Sequence, residues 1–182
     1  YEWTINGAVV SSTATYTVSA NESDVGDVLL CTATATDSSG LQDTATGSVT
    51  IQNTAPTVSS GPTVSFAQAE VGDSVTCSAS GSDIDGQSVA LSYQWLDQND
   101  SVLGSAASYT VSGLGVGATF RCRVTASDGT TSSATQDSSL VTVINTVPTI
   151  STAVITPSSG LTTSSLLTCS ASATDVNDGT LL

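Results

Sequence analysis

The sequence predicts an all-β chain, built as a tandem array of β-sandwich units with one unit per ~92 residues. Three observations carry this. The chain matches itself when displaced by about that distance. Its apolar residues alternate with period two. Turn signals fall at short, regular intervals between the alternating runs, and no window shows helical spacing with caps.

The self-match runs the length of the chain. Tyr1-Glu2-Trp3 returns as Tyr93-Gln94-Trp95, and Tyr16-Thr17-Val18 as Tyr109-Thr110-Val111. Cys31 falls on Cys122 and Cys77 on Cys169. The stretch NTAPT at 53–57 returns as NTVPT at 145–149, and VTCSASGSDIDG at 75–86 is echoed by LTCSASATDVNDG at 167–179. Slips of one residue mark changes of loop length. The Asn-Thr-x-Pro stretch reads as a linker. That phase gives one complete unit over 53–144, the second half of a preceding unit over 1–52, and the first half of a following unit over 145–182. Leu181-Leu182 then matches the segment just before the next Tyr-x-Trp. Such a chain is expected to be a slice of a longer repetitive protein, or a subunit whose ends complete each other's half-units. In both cases the expected partners are copies of itself, end to end, as a continuous chain or as a filament that does not close.

The strands follow from the alternation. Leu91, Tyr93 and Trp95 share one parity, with Ser92 and Gln94 between them. Phe120, Cys122, Val124 and Ala126 point one way, and Arg121, Arg123 and Thr125 the other. Cys31, Ala33 and Ala35 alternate with Thr32, Thr34 and Thr36. This is the pattern of half-buried antiparallel strands. Turns are expected at 83–86 (DIDG), 97–100 (DQND), 113–117 (GLGVG) and 127–130 (SDGT). About seven short strands in one period describe a sandwich.

Composition removes several function classes. The formal net charge is −14, and the only cations are Arg121 and Arg123. A chain so acidic repels nucleic acid and anionic lipid. No apolar run approaches the ~18 residues of a bilayer span. Hydrophobic residues make up 38% of the chain; with the alternation, that argues against disorder. Catalysis lacks its parts. Ser and Thr abound, but without His or Lys no base stands beside them. No glycine loop opens a helix to cradle phosphate. The segment is read as not an enzyme.

The order Cys77, Trp95, Cys122 resembles the immunoglobulin fold, and VGDSVTC at 71–77 is similar to that family's second strand. The tyrosine two residues before the second cysteine is absent: Phe120 stands there, and Leu29 in the preceding unit. NTAPT, the acidic Asp-x-Asp-Gly loop, Tyr-x-Trp and the late SDGT together resemble bacterial Ig-like tandem repeats, related to PKD-like and cadherin-like modules of large surface and secreted proteins. The resemblance implies a disulfide between Cys77 and Cys122, packed on Trp95. It leaves Cys31 and Cys169 to pair outside this chain or across a subunit seam. Reduced thiols or a metal site are the competing reading; the absence of His and of any Cys-x-x-Cys argues against zinc. Disulfides imply an oxidising compartment, hence an extracellular or cell-surface location.

One candidate site remains. In such a sandwich, the linker residue Asn53, the loop residues Asp83 and Asp85, and Asp128 gather at one pole, with Asn6, Glu22 and Asp24 of the preceding unit facing them. Calcium takes six to eight oxygens, several of them carboxylate, and the cadherin-like resemblance implies a Ca²⁺ ion stiffening the joint. The simpler reading is that Asp-x-Asp-Gly makes a good turn by itself, with its charges in water. Asp175-Val176-Asn177-Asp178-Gly179 reads as a shifted version of the loop. Asn21-Glu22-Ser23 and Asn99-Asp100-Ser101 fit the glycosylation sequon. The expected function is a rigid, disulfide-stabilised spacer in an extracellular fibre, stalk or adhesin shaft. The alternatives are a glycan- or ice-binding module, using the Thr32/Thr34/Thr36 row, and an accessory domain of a larger secreted enzyme.

Overall fold

In a computed structural model the chain is described over residues 1–180. Leu181 and Leu182, matched above to the segment before Tyr-x-Trp, lie outside the described residues. Sixteen strands and no helix form among the described residues: β1 (Glu2–Ile5), β2 (Ala8–Ser11), β3 (Val28–Thr36), β4 (Gln42–Thr50), β5 (Thr57–Val64), β6 (Gln68–Ala69), β7 (Ser74–Ser82), β8 (Ala90–Asp97), β9 (Val102–Gly104), β10 (Ser108–Thr110), β11 (Thr119–Ser127), β12 (Gln136–Asp137), β13 (Val141–Val143), β14 (Thr149–Thr156), β15 (Thr168–Asp175) and β16 (Gly179–Thr180). The all-β expectation holds.

The strands form four sheets, in the orders β2-β1-β3-β4, β10-β7-β5, β6-β13-β11-β8-β9 with β12 added on β11, and β14-β15-β16. β6 pairs with β13 in parallel; β1 with β2 and β3, β3 with β4, β7 with β10, β8 with β9, β11 with β12 and β13, and β15 with β14 and β16 pair antiparallel. The chain divides into two compact units. One holds Tyr1–Ser60, Ser80–Leu91 and Thr125–Thr135; the other holds Gly61–Ala79, Ser92–Val124 and the chain from Gln136 on. Four of these boundaries fall within β5, β7, β8 and β11, and the fifth immediately precedes β12.

In the first unit the β2-β1-β3-β4 sheet dominates. A two-residue turn at Asn6-Gly7 joins β1 to β2, with positive φ at both residues (48° and 87°). That is the geometry a tight hairpin asks of Asn-Gly. Trp3 lies directly across from Cys31. β4 is exposed along its whole length, and the expected inward row of β3 is only half covered: Cys31 and Ala33 are intermediate and Ala35 is exposed. Period-two alternation marks which face of a strand is apolar; covering that face takes a second layer.

The second unit holds the best-covered core. β11 alternates without a break, and Phe120, Cys122 and Val124 have no exposed surface. Trp95, Val75, Val141 and Val143 join them. Trp95, Tyr109 and Phe120 form an aromatic cluster with ring centroids 5.5–5.9 Å apart, a spacing that adds to their burial. Cys77 on β7 is bonded to Cys122 on β11, with 6.3 Å between Cα atoms. The bond ties the three-stranded sheet to the six-stranded one. The pairing implied by the resemblance is therefore present.

Trp95 departs from simple alternation. A bulge between Trp95 and Leu96 shifts the register against β9, so two consecutive side chains are buried. The same shift occurs at Trp3/Thr4 against β2. Bulges add one residue and turn a strand locally; here each falls at the tryptophan.

Closing a loop over a sequence separation of 45 stabilises by about 4 kcal/mol in the chain-entropy model. We expect the Cys77→Ala/Cys122→Ala double variant to lose about 2–4 kcal/mol in urea unfolding. A loss below about 0.5 kcal/mol, within the range of ordinary surface substitutions, would mean that the bond does not constrain the unfolded chain.

Candidate functional site

The linker and the acidic loop meet in a set of hydrogen bonds, all within the first unit. The Thr54 backbone N–H and hydroxyl both donate to the Asp85 carboxylate. The Asp85 N–H donates to Asp83 Oδ1 at 2.7 Å. Asn53 Nδ2 donates to Asp128 Oδ2 and to Thr131 Oγ1, each at 2.9 Å. Asp128 Oδ1 in turn accepts the N–H groups of Thr130 and Thr131, at 2.6 Å each. The expected gathering of Asn53, Asp83, Asp85 and Asp128 is thus a clasp: each contacted carboxylate takes donors from backbone or amide.

The donors govern Asp128. The Asn53 amide, then the Thr131 hydroxyl and N–H, hold its carboxyl far below the usual carboxylate range. Stabilising the charged form by hydrogen bonds is enough to do this. Among the described residues, the buried acceptor oxygens Asn53 Oδ1, Asp83 Oδ2 and Gln87 Oε1 have no partner. Among the described residues, no group of three or more His, Cys, Asp or Glu is arranged to hold a metal.

The residues expected to face this pole are engaged elsewhere. Asn6 Nδ2 donates to Asp27 Oδ1, Glu22 accepts from the Tyr16 hydroxyl, and the Asp24 N–H donates to Asp27 Oδ2. Beside Thr54 and Asp85, Val18, Ala20, Val25, Ile51 and Ile84, with Ser23, line a mostly apolar cavity of about 230 Å³.

The clasp recurs in the second unit. The Thr146 N–H donates to Asn177 Oδ1 at 2.8 Å, its hydroxyl to the same atom at 2.6 Å, and the Asn177 N–H to Asp175 Oδ1 at 2.7 Å. Thr146, Asn177 and Asp175 take the parts of Thr54, Asp85 and Asp83. The loop that reads as shifted is therefore in register, with Asn177 standing where Asp85 does. An amide oxygen serves there as well as a carboxylate, so this position needs an acceptor rather than a charge. Sequence reading missed the linker threonines, Thr54 and Thr146. Their signal is the Thr of the Asn-Thr-x-Pro stretch itself.

The cations are also committed. Arg121 Nε and Arg123 Nε donate to the two oxygens of Asp137, each at 2.7 Å, and Arg121 also pairs with Asp100. Hydrogen bonding from Arg123, helped by Arg121, lowers the Asp137 carboxyl to about 2. The Thr row of β3 is extended by β4: Thr32 lies across from Thr46 and Thr34 across from Thr44. The sequon residues Asn21 and Asn99 are both exposed. Among the described residues, no helix is long and apolar enough to cross a membrane. In comparison with known proteins, no family model and no curated protein matches the chain.

The acid response follows from Asp137. Its folded carboxyl is lowered, so its contribution is present above the ordinary value near 4 and is lost as the pH falls through the folded value near 2. Asp128 acts with the same sign. Melting temperature should therefore fall between about pH 4 and pH 2. Asp137→Asn should flatten that limb by about 1 kcal/mol or less, because the side chain is a third exposed. An acid limb of equal slope in the variant would remove Asp137 from the account.

Proposed function

We propose that the chain is a structural repeat of an extracellular fibre, stalk or adhesin shaft, acting as a rigid, disulfide-stabilised spacer. The observation that carries this is one bonding scheme appearing twice, about one period apart. The Trp3 indole N–H donates to Thr13 O and the Trp95 indole to Ala106 O, both at 3.0 Å. Trp3 packs on Tyr16 at 6.1 Å and Trp95 on Tyr109 at 5.9 Å. A register shift accompanies each tryptophan, and a linker threonine is clasped to each Asp-x-(Asp/Asn) loop. These are packing and linker-fixing features with no reactive group at their centre, and they support tandem Ig-like sandwiches, divided at 53 and 145, joined by short restrained linkers.

The Cys77–Cys122 bond supports an oxidising, extracellular setting. Both arginines are held by aspartates, which leaves no free cation for nucleic acid. The partners are copies of the same unit, end to end. The paired Thr rows of β3 and β4 keep a glycan- or ice-binding module as the rival reading, and affinity retention on ice or a glycan array separates the two.

Trypsin tests the spacer reading. The chain holds two tryptic sites, Arg121 and Arg123, which flank Cys122 in β11. The oxidised chain should survive trypsin for hours, and the reduced chain in mild urea should be cut at both sites. Rapid cleavage of the oxidised native chain there would contradict a rigid spacer.

A second reading concerns calcium. The unpaired oxygens of Asn53, Asp83 and Gln87 favour a cation at the linker pole, with Asp85 and Asp128 as the nearby charges. Against it, Asp85 and Asp128 already receive donors, and Asn177 takes the place of Asp85 in the recurring clasp. The clasp alone predicts the same melting temperature in millimolar CaCl₂ and in EDTA. A rise of several degrees with calcium would establish the ion.

A further inference from the structure

Two hairpins at equivalent places in the repeat differ in length. Between β1 and β2 the turn is the two residues Asn6-Gly7. Between β8 and β9 it is Gln98-Asn99-Asp100, closed by the Asp97 N–H to Ser101 O at 3.0 Å and the Asp100 N–H to Asp97 O at 3.1 Å. Asp100 has a φ of 63°, the left-handed conformation with which a three-residue hairpin loop ends. The longer hairpin carries Asn99-Asp100-Ser101, one of the two glycosylation sequons in the chain.

The fold treats the two sequons in opposite ways. At Asn21-Glu22-Ser23 the asparagine is exposed but Ser23 is buried. The Ser23 hydroxyl and N–H both donate to Ser19 O, at 2.9 and 3.1 Å. At Asn99-Asp100-Ser101 all three residues are exposed. Asp97 Oδ1 accepts the N–H groups of Asn99 and Ser101, at 2.8 Å each, and so fixes the backbone of the tip. Among the described residues, nothing is bonded to the Asn99 side-chain amide or to the Ser101 hydroxyl. The sequon is read through its asparagine and the hydroxyl two residues on. A hydroxyl held in the interior cannot be presented; one on an exposed hairpin can.

The charge at the tip is also favourable. Asp100 pairs with Arg121, and Arg123 Nη2 lies 3.9 Å from the same Asp100 oxygen. Both cations of a chain with net charge −14 are therefore gathered beside this hairpin. An anionic donor meets less repulsion here than it would beside unpaired carboxylates.

We propose that Asn99 is an acceptor for an N-linked glycan, taken from a lipid-linked oligosaccharide pyrophosphate, and that Asn21 in the folded chain is not. In the transfer, the Asn99 amide nitrogen bonds to the anomeric carbon of the sugar and gives up one proton. The bond from that carbon to the pyrophosphate oxygen breaks, and the lipid pyrophosphate leaves with the electron pair. No oxidant or reductant is needed. The site rests on the extracellular setting proposed above for its use, because such acceptors lie on surface loops of secreted chains. Its competence as an acceptor is tested without that setting.

Incubating the oxidised, folded chain with a purified single-subunit oligosaccharyltransferase and a lipid-linked oligosaccharide makes the test, read by intact mass and by glycopeptide mapping. The expected result is a gain of one oligosaccharide, located at Asn99, with Asn21 unmodified. Asn99→Gln and Ser101→Ala should each lower occupancy at least tenfold, and both replace exposed residues. A folded chain left without glycan at Asn99, or one modified equally at Asn21, would overturn the proposal. Trypsin resistance of the same oxidised chain is scored separately. If it persists while no glycan is transferred, the acceptor site is wrong and the spacer reading stands.

Discussion

The bond between Cys77 and Cys122 is the constraint on which the rest of the structure depends. The residues packed near it include one tryptophan, one phenylalanine and a set of valines. Aromatic residues are only 4% of the sequence, so little apolar area is available per residue to offset chain entropy. A covalent tie between two sheets lowers the entropy of the unfolded chain instead. It also fixes where Trp95 must lie. The indole is fully buried, its N–H is satisfied by Ala106 O, and Tyr109 and Phe120 close around it. Cross-link and tryptophan cluster hold the register of β7, β8, β10 and β11 together.

The linker clasp is the second constraint, and it works by hydrogen bonding. Thr54 and Thr146 each present an N–H and a hydroxyl to the acceptor two residues beyond the first Asp of the loop. An Asp fills that place once and an Asn once. A site selected for charge would not accept the exchange; a site selected for an acceptor would. The clasp therefore ties the linker backbone to the loop in the same way at both places, which suits a repeated spacer.

Much of this was legible in the sequence, for physical reasons that differ from residue to residue. The alternation of Phe120, Cys122, Val124 and Ala126 is complete because β11 is covered on one face by the core. The alternation of Cys31, Ala33 and Ala35 is as clear in the sequence, yet those residues are not buried. Pattern records which face is apolar, and burial records whether something lies on it. The bulge at Trp95 was hidden because an inserted residue breaks parity without leaving a composition signal. The roles of Thr54 and Thr146 were hidden for another reason: a threonine two residues before a proline reads as linker, and its partners lie some thirty residues away. Asn53, Asp83, Asp85 and Asp128 were found because turn chemistry and acidity coincide there, but which of their oxygens are already satisfied is a matter of geometry alone.

Single-molecule extension of the chain, tethered at its two ends, tests the central claim most directly. If the disulfide locks the segment between Cys77 and Cys122 as part of a force-bearing spacer, the oxidised chain cannot release that segment. Reduction should then add about 15 nm to the extended contour length, from 45 residues of separation at roughly 3.3–3.6 Å each. It should also lower the force at which the core around Trp95 gives way. An oxidised chain that extends to the same contour length as the reduced one, or yields at the same force, would contradict the account.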